Sequence, residues 1–444
     1  RHYICSVRKG ESIIMKPKLI KNNLTREQYF YMKHPSGLDI YVHPKKGYTS
    51  NYAILGTDFG SINNKFRKIG ESSYTVVPDG IAHYLEHKLF AGKEGDAFEL
   101  FAKTGASANA YTSFEKTAYL FSCTGNFEES LGILLDFVQS PYFTEENVEK
   151  ERGIIGQEIK MYEDSPDWKV LINLLGALYK NHPVKNDIAG SIESISKITP
   201  ELLYECYNMF YNLHNMALCV VGNVDPDAVF TAADKKLKYS APINVEKFFP
   251  KESHDIVKSE VVQNFDIVSP TFSLGFKENI PENYRISTEE LVYSDLILQC
   301  VSSRTSEMYQ ELMKKELINT SSFSNEYFEG PGYASVIFSG ESKNPQKAAE
   351  VIRKHMQKIK ANGIDKNLFE RIKKSVYGQS LSVFNSVSGI ANLTLDFALS
   401  GKDIFEYMEI LESACTEKAN RRLEAQLDSE FSALSIANPQ NNEQ

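Results

Sequence analysis

One order of strands and helices occurs twice along this chain of 444 residues. An apolar segment with Leu-Phe-Ser at 120–122 has a counterpart with Ile-Phe-Ser at 337–339. Each segment precedes an apolar helix and then a second helix that contains Gly-Gln, at 156–157 and at 378–379. The alternative interpretation is a chance match between short apolar stretches. We interpret the pattern as a duplicated α/β unit, which restricts the chain to a two-part architecture.

The segments of each copy alternate between strand and helix patterns. Strands are predicted at 38–43 and 51–59, which we take as a pair, and at 107–113, 117–123 and 216–221; helices are predicted at 80–90, 127–139 and from 144 to just before 165. The expected class is α+β, with two homologous α/β halves in a clamshell, each a mixed, mostly antiparallel sheet packed with helices. Residues 241–258 contain two prolines and no regular period. They are the predicted linker between a half at 1–240 and a half at 259–444.

Composition excludes several classes of protein. A hydrophobic content of 42% and a charged content of 24% are those of a globular protein with a large core. No segment approaches the roughly 20 apolar residues of a membrane span. The net charge of −9 comes without the basic stripe of a nucleic-acid-binding protein. The six scattered cysteines form no CxxC, so we expect buried, reduced thiols in a cytoplasmic protein.

A His-x-x-Glu-His motif, His83 to His87, lies in the helix predicted at 80–90. The two histidines are roughly 40° apart on one helical face, so both imidazoles can reach one zinc ion. Glu86 lies on the same half of the helix, where its carboxylate can take a proton from a water that attacks a carbonyl. The competing interpretation is a surface helix with solvated histidines. The apolar neighbours favour a buried helix, where unpaired polar groups are costly, and therefore a metal site.

A catalytic zinc site needs a third protein ligand and one position for water. Glu151 and Glu158 are seven residues apart, on one face of the helix that begins near residue 144. Such glutamates are ordinarily solvated helix charges. Their counterparts in the repeat are Lys373 and Ser380, and the second copy has no HxxEH. Both carboxylates are therefore peculiar to the half that contains the histidines.

The chain resembles the pitrilysin/insulinase family of zinc peptidases, the inverzincins, and most of all its short bacterial members that are similar to the mitochondrial processing peptidase. The resemblance is carried by the segments 80–87, 105–112, 151–159 and 215–226, within a region from about residue 25 to 230. It implies one Zn²⁺ per chain, with the site residues listed here in order: His83, His87 and Glu158 as ligands, Glu86 as the general base, and Glu151 as a carboxylate that supports the ligands from behind.

The resemblance also implies an extended peptide that is added as a strand beside Ala108, Asn109 and Ala110. The alternative is an ordinary edge strand with small residues. Members of the family enclose peptides or unfolded segments in a chamber, and often work as two chains. We therefore expect peptide substrates, and either a homodimer or a heterodimer with a related chain, without nucleic acid or membrane.

One feature departs from the family pattern. Many relatives have an Arg and a Tyr in the second half that hold the substrate carbonyl. Here Met313 stands where the Arg is expected, and no Tyr follows at the right distance. Arg304 and Tyr309, which lie upstream, could substitute, or a partner chain could supply both groups.

The sequence thus predicts a zinc metalloendopeptidase that cleaves peptides bound as an added strand, with water activated by Glu86. The alternatives are a subunit of a hetero-oligomeric peptidase for leader-peptide processing and a non-catalytic assembly or peptide-binding subunit. A metal hydrolase of small amides is disfavoured, because the strand at 108–110 would have no purpose in it.

Overall fold

The computed structural model describes residues 3–5, 13–93 and 95–440, with side chains from residue 16 onwards. The strands are β1 (Tyr3–Cys5), β2 (Ile13–Met15), β3 (Lys18–Asn22), β4 (Glu27–Lys33), β5 (Asp39–Pro44), β6 (Asn51–Thr57), β7 (Lys65–Lys68), β8 (Thr75–Val76), β9 (Ala91–Gly92), β10 (Gly95–Asp96), β11 (Ser107–Thr112), β12 (Thr117–Cys123), β13 (Met216–Gly222), β14 (Val245–Lys247), β15 (Glu260–Phe265), β16 (Thr271–Lys277), β17 (Ser324–Gly330), β18 (Tyr333–Glu341) and β19 (Ser432–Pro439). The helices are α1 (Ile81–Phe90), α2 (Ala97–Thr104), α3 (Phe127–Val138), α4 (Glu145–Glu163), α5 (Pro166–Leu178), α6 (Ile192–Ile195), α7 (Pro200–Phe210), α8 (Pro226–Lys236), α9 (Thr288–Ser302), α10 (Glu307–Lys314), α11 (Pro345–Asn362), α12 (Lys366–Val383), α13 (Val387–Ser400), α14 (Ile404–Ser413) and α15 (Thr416–Leu423).

The predicted elements of the first half are confirmed at their positions, but one predicted pairing is wrong. We expected the strands at 38–43 and 51–59, which are β5 and β6, to be neighbours. In the structure β13 lies between them, parallel to β5 and antiparallel to β6. Every residue of β13 is buried. A strand that is apolar on both faces belongs in the centre of a sheet, and this explains the insertion.

Five strands have the same topology in both large sheets, which confirms the duplication. The first sheet has the order β11-β12-β6-β13-β5, extended by β4 and β3, and the second has the order β17-β18-β16-β19-β15. In each sheet the last of these five strands is parallel to its neighbour and the others pair antiparallel. The two series also occur in the same order along the chain. The fold is therefore α+β, built from two homologous halves.

The compact units do not follow the halves of the sequence. One unit consists of Arg1–Gly156, Ile188–Lys247 and Ser380–Glu406, and the other of Gln157–Asp187, Phe248–Gln379 and Tyr407–Gln444. Each unit thus includes a segment from the other half of the sequence. The predicted linker is also partly ordered, because β14 pairs with β7 in the first unit.

A glycine in the middle one of the five shared strands, which is β6 or β16, makes room for the exchanged helix. In the first unit α13 packs on β6, and a Cβ at Gly56 would lie 2.8 Å from Leu395. In the second unit α5 packs on β16, and a Cβ at Gly275 would lie 2.7 Å from Leu178. The same close approach of helix to strand therefore occurs in both copies.

The described cysteines agree with the expectation of free thiols. Cys123, Cys206, Cys219 and Cys300 are buried and free, and Cys415 is half-buried and free; the side chain of Cys5 lies outside the described residues. No helix in the described ranges combines the length and the apolar character that a membrane span requires.

Candidate metal centre

The helix α1 carries the HxxEH motif as a buried element. It begins after Gly80, whose φ of +88° and close approach to Ala189 leave no room for a side chain. His83 and Glu86 are each only 8% exposed, and His87 is half-buried. The rings of His83 and His87 lie with their centroids 4.6 Å apart. The helix thus brings both imidazoles together in the interior, as the spacing predicts.

The continuous helix α4 carries the two glutamates. Ligand atoms of His83, His87 and Glu158 all lie within 4.8 Å of one another. Ligand atoms that surround zinc at about 2.0–2.2 Å need only small side-chain movements from such an arrangement. Two imidazoles and one carboxylate, with a fourth position for water, are also a donor set of catalytic zinc. The residues present therefore fit a zinc ion.

Glu151 lies behind His87 and is shared with a residue that the sequence analysis missed. Nδ1 of His87 donates to Oε1 of Glu151 at 3.2 Å, and Nζ of Lys88 lies 3.6 Å from Oε2. The Lys88 side chain is 2% exposed. Burial tends to raise the pKa of Glu151, but the hydrogen bond from His87 and the charge of Lys88 outweigh it and hold the pKa below its usual value. The sequence signal that could have identified Lys88 is its position as a charged residue within an otherwise largely apolar helix, where a buried charge needs a partner.

Glu86 faces a set of hydroxyl groups. Oγ1 of Thr112 donates to Oε2 of Glu86 at 2.6 Å. The phenol oxygens of Tyr119 and Tyr211 lie 2.8 Å apart, and burial, reinforced by the negative charge of Glu86, raises both phenol pKa values well above the usual value. Both phenols are therefore neutral. The carboxylate of Glu86 is thus largely buried, with Thr112 as a direct donor.

The strand predicted to bind substrate is the last strand of its sheet. β11 pairs with β12 on one side only. The N–H of Ser113 donates across the hairpin to Lys116, and by alternation the N–H groups of Ala108 and Ala110 point to the outer edge. The N–H of Ala110 donates at 2.9 Å to Oδ1 of Asn109, whose side chain is exposed. The side chain of Asn109 thus accepts a hydrogen bond from one of the outward-pointing main-chain N–H groups of that edge.

Arg304 and Tyr309, the two upstream residues that could replace the expected Arg and Tyr, differ in their exposure to solvent. Tyr309 in α10 is 5% exposed and its ring lies 5.9 Å from that of Phe323, so it is part of the core of the second unit. Arg304 and Met313 are exposed. Burial thus argues against a substrate contact for Tyr309.

Family models match both halves of the chain. Residues 70–191 match the insulinase family (peptidase family M16), and residues 197–376 match the peptidase M16 inactive domain. All the histidines and glutamates described above lie within the first match. The half without HxxEH is thus the one that matches the inactive domain.

Relatives and solved structures match over most of the length. The uncharacterized zinc protease YmfH of Bacillus subtilis (strain 168) is 38% identical over 416 residues, which are 92% of this chain and 96% of the relative. The structure of an M16-like peptidase from Alicyclobacillus acidocaldarius is 32% identical with a TM-score of 0.87, over 96% of this chain and 98% of that one. The mitochondrial-processing peptidase subunit beta of Neurospora crassa is 30% identical over 214 residues, 46% of this chain and 45% of that subunit. The chain belongs to the insulinase family, peptidase family M16.

Proposed function

We propose that the protein is a zinc metalloendopeptidase that cleaves peptides or unfolded segments. The observation that carries the proposal is the convergence of His83, His87 and Glu158 within 4.8 Å. These three side chains would hold the zinc ion. Zinc bound there would polarise a peptide carbonyl and make a water molecule more acidic. Relatives described as zinc proteases support the choice of metal.

Glu86 serves as the general base in this proposal. Its carboxylate is buried on the helix that carries both histidines. It accepts the proton of the attacking water and returns a proton to the leaving amine, so the carboxylate is regenerated. Burial among neutral hydroxyl groups strengthens the interactions of this carboxylate with its neighbours.

The substrate is proposed to add to β11 as a further antiparallel or parallel strand. A carbonyl of the peptide takes the N–H of Ala110 from the side chain of Asn109, which is free to turn away because it is exposed. Main-chain hydrogen bonds at Ala108 and Ala110 give affinity with little sequence preference. A segment whose main-chain groups are already paired within a folded protein cannot pair with β11, so unfolded chains are favoured.

A related partner chain is the second part of the proposal. Met313 in place of the expected Arg, together with the burial of Tyr309, leaves the second half without the expected carbonyl-binding pair. A relative described as a subunit of a processing peptidase supports a heteromeric assembly. The mass of the native assembly, measured with and without candidate related chains, tests this part; full activity of the isolated chain as a monomer would contradict it.

Two substitutions test the zinc and base assignments. Glu86→Gln should keep zinc and lose cleavage of a quenched peptide, because the amide cannot accept the proton. Glu158→Ala should lose zinc on dialysis, whereas Glu149→Ala, at an exposed position of the same helix, should not. Unchanged cleavage after Glu86→Gln would exclude Glu86 as the base, and unchanged zinc content after Glu158→Ala would exclude Glu158 as a ligand.

A further inference from the structure

Thr112 is the hydroxyl donor to the proposed base. Its Oγ1 lies 2.6 Å from Oε2 of Glu86, at the last residue of β11. We propose that Thr112 is a positioning residue, which holds the Glu86 carboxylate in the orientation needed for proton transfer. This inference rests on the proposed function and adds a residue to it.

The neighbouring hydrogen bonds support Thr112 as the donor and Glu86 as the acceptor. Thr117 lies 3.3 Å from Thr112, oxygen to oxygen, but it donates its hydroxyl proton to the carbonyl of Phe59 at 2.8 Å. It therefore has no second proton to give to Thr112. The proton of Thr112 is directed at Glu86, and a hydrogen bond to a charged acceptor is stronger than one between neutral groups.

The stiffness of Thr112 gives the contact its positioning effect. A glutamate side chain has several rotatable bonds, whereas a threonine is branched at Cβ and restricted at χ1. Thr112 also belongs to a strand that is bonded along its length to β12. The bond therefore transfers the fixed position of the strand to Oε2 of Glu86.

The same strand is the proposed substrate edge, so Thr112 links the two. Ala108, Ala110 and Thr112 alternate in phase along β11, and their side chains share one face. The contact of Thr112 with Glu86 shows that this face is turned towards α1. A peptide paired at Ala108 and Ala110 therefore lies in fixed register with the residue that orients the base. Substrate pairing and base orientation depend on one strand.

The test compares Thr112→Val, which keeps the shape and removes the hydroxyl, with Thr112→Ser, which restores it. In the native assembly, with a quenched peptide, we expect kcat to fall about 10- to 100-fold in the Val variant, KM to change little, and the Ser variant to recover most of kcat. Zinc affinity should stay within a few-fold of the wild type. The matched control is Thr75→Val, which removes a 2.7 Å threonine–glutamate bond to Glu205 elsewhere in the first unit and should leave kcat unchanged.

A second readout does not depend on turnover. Crystal structures of the zinc-loaded wild type and Thr112→Val should show one Glu86 rotamer in the former and several in the latter. An unmoved Glu86 carboxylate in the Val variant, or wild-type kcat, would overturn the inference. If Glu86→Gln alone cleaves normally, the proposed function fails instead, so the two failures are distinguishable.

Discussion

Substitution of Glu151 by Gln should weaken zinc binding although this residue is not a proposed ligand. In the structure its Oε1 accepts from Nδ1 of His87 at 3.2 Å, so the other nitrogen of that ring is the one left to serve as a metal ligand. Loss of such an outer partner commonly reduces metal affinity about 10- to 100-fold, or about 1.4–2.7 kcal/mol. Glutamine keeps the size of the side chain but not its charge, so a loss of zinc affinity can be attributed to the charged carboxylate.

The same substitution should also lower stability, for a separate reason. The ammonium of Lys88 is 2% exposed and lies 3.6 Å from Glu151. Removal of the negative partner leaves a buried charge with weaker compensation, at a cost of about 1–3 kcal/mol. The double variant Lys88→Met with Glu151→Gln removes both charges, so it should recover stability without recovering zinc affinity.

Two measurements separate these effects. Zinc affinity is measured by competition with a chromophoric chelator, and the free energy of unfolding by urea in metal-free protein. Glu149→Gln is the control, because that side chain lies on the same helix and is 69% exposed. A Glu151→Gln protein that is less stable but binds zinc as tightly as the wild type would refute a role for Glu151 in holding His87.

Three further outcomes are expected from the structure. Gly56→Val and Gly275→Val should each destabilise their unit by about 1–3 kcal/mol or more in urea unfolding, since the added atoms meet leucines of the exchanged helices. Gly47→Val is the comparison for backbone strain alone, because a side chain at Gly47 meets no neighbouring atom but the residue has a positive φ. Lys277→Met should cost about 3–5 kcal/mol, because Lys277 is buried and bonded to Glu252 at 2.8 Å, and a second substitution, Glu252→Gln, should offset part of this loss. Burial lowers the pKa of His182 to about 4, against about 6.5 when unfolded, so its contribution is complete above pH 6.5 and falls towards pH 4. From pH 7 to 5 this should remove about 2 kcal/mol of unfolding free energy, a loss that His182→Gln should lack.

The proximity of the two histidines was predictable because their spacing within one helix is fixed by local geometry. His83 and His87 are one turn apart whatever the helix packs against. Glu158 lies on another helix, and only the asymmetry of the repeat distinguished it from a solvated charge. The contacts of Lys88 and Thr112 join α1 to α4 and to β11, so they depend on the placement of whole elements, which no local spacing encodes.

The exchange of helices between the units was not predictable for a related reason. Repeats show which segments are equivalent, but not which copy of a sheet a helix will cover. In the structure α13 packs over Gly56 in the first unit, and α5 packs over Gly275 in the second. In each case a leucine of the helix fills the space beside the glycine. Either sheet offers such a glycine, so the sequence pattern alone fits both the exchanged and the unexchanged arrangement.

The duplication bears on the proposal that only the first copy binds a metal ion. Both sheets share one topology, so the scaffold does not distinguish them. At the position that corresponds to Glu151, the second copy has Lys373, which donates to the carbonyl of Ala414 at 2.9 Å and pairs with Glu370 at 3.3 Å. A cation there repels a metal ion and is engaged in holding a neighbouring helix end. A metal site in the second copy would therefore require the loss of this contact as well as new ligands, so the proposed metal chemistry depends on a few helix-borne side chains and not on the shared fold.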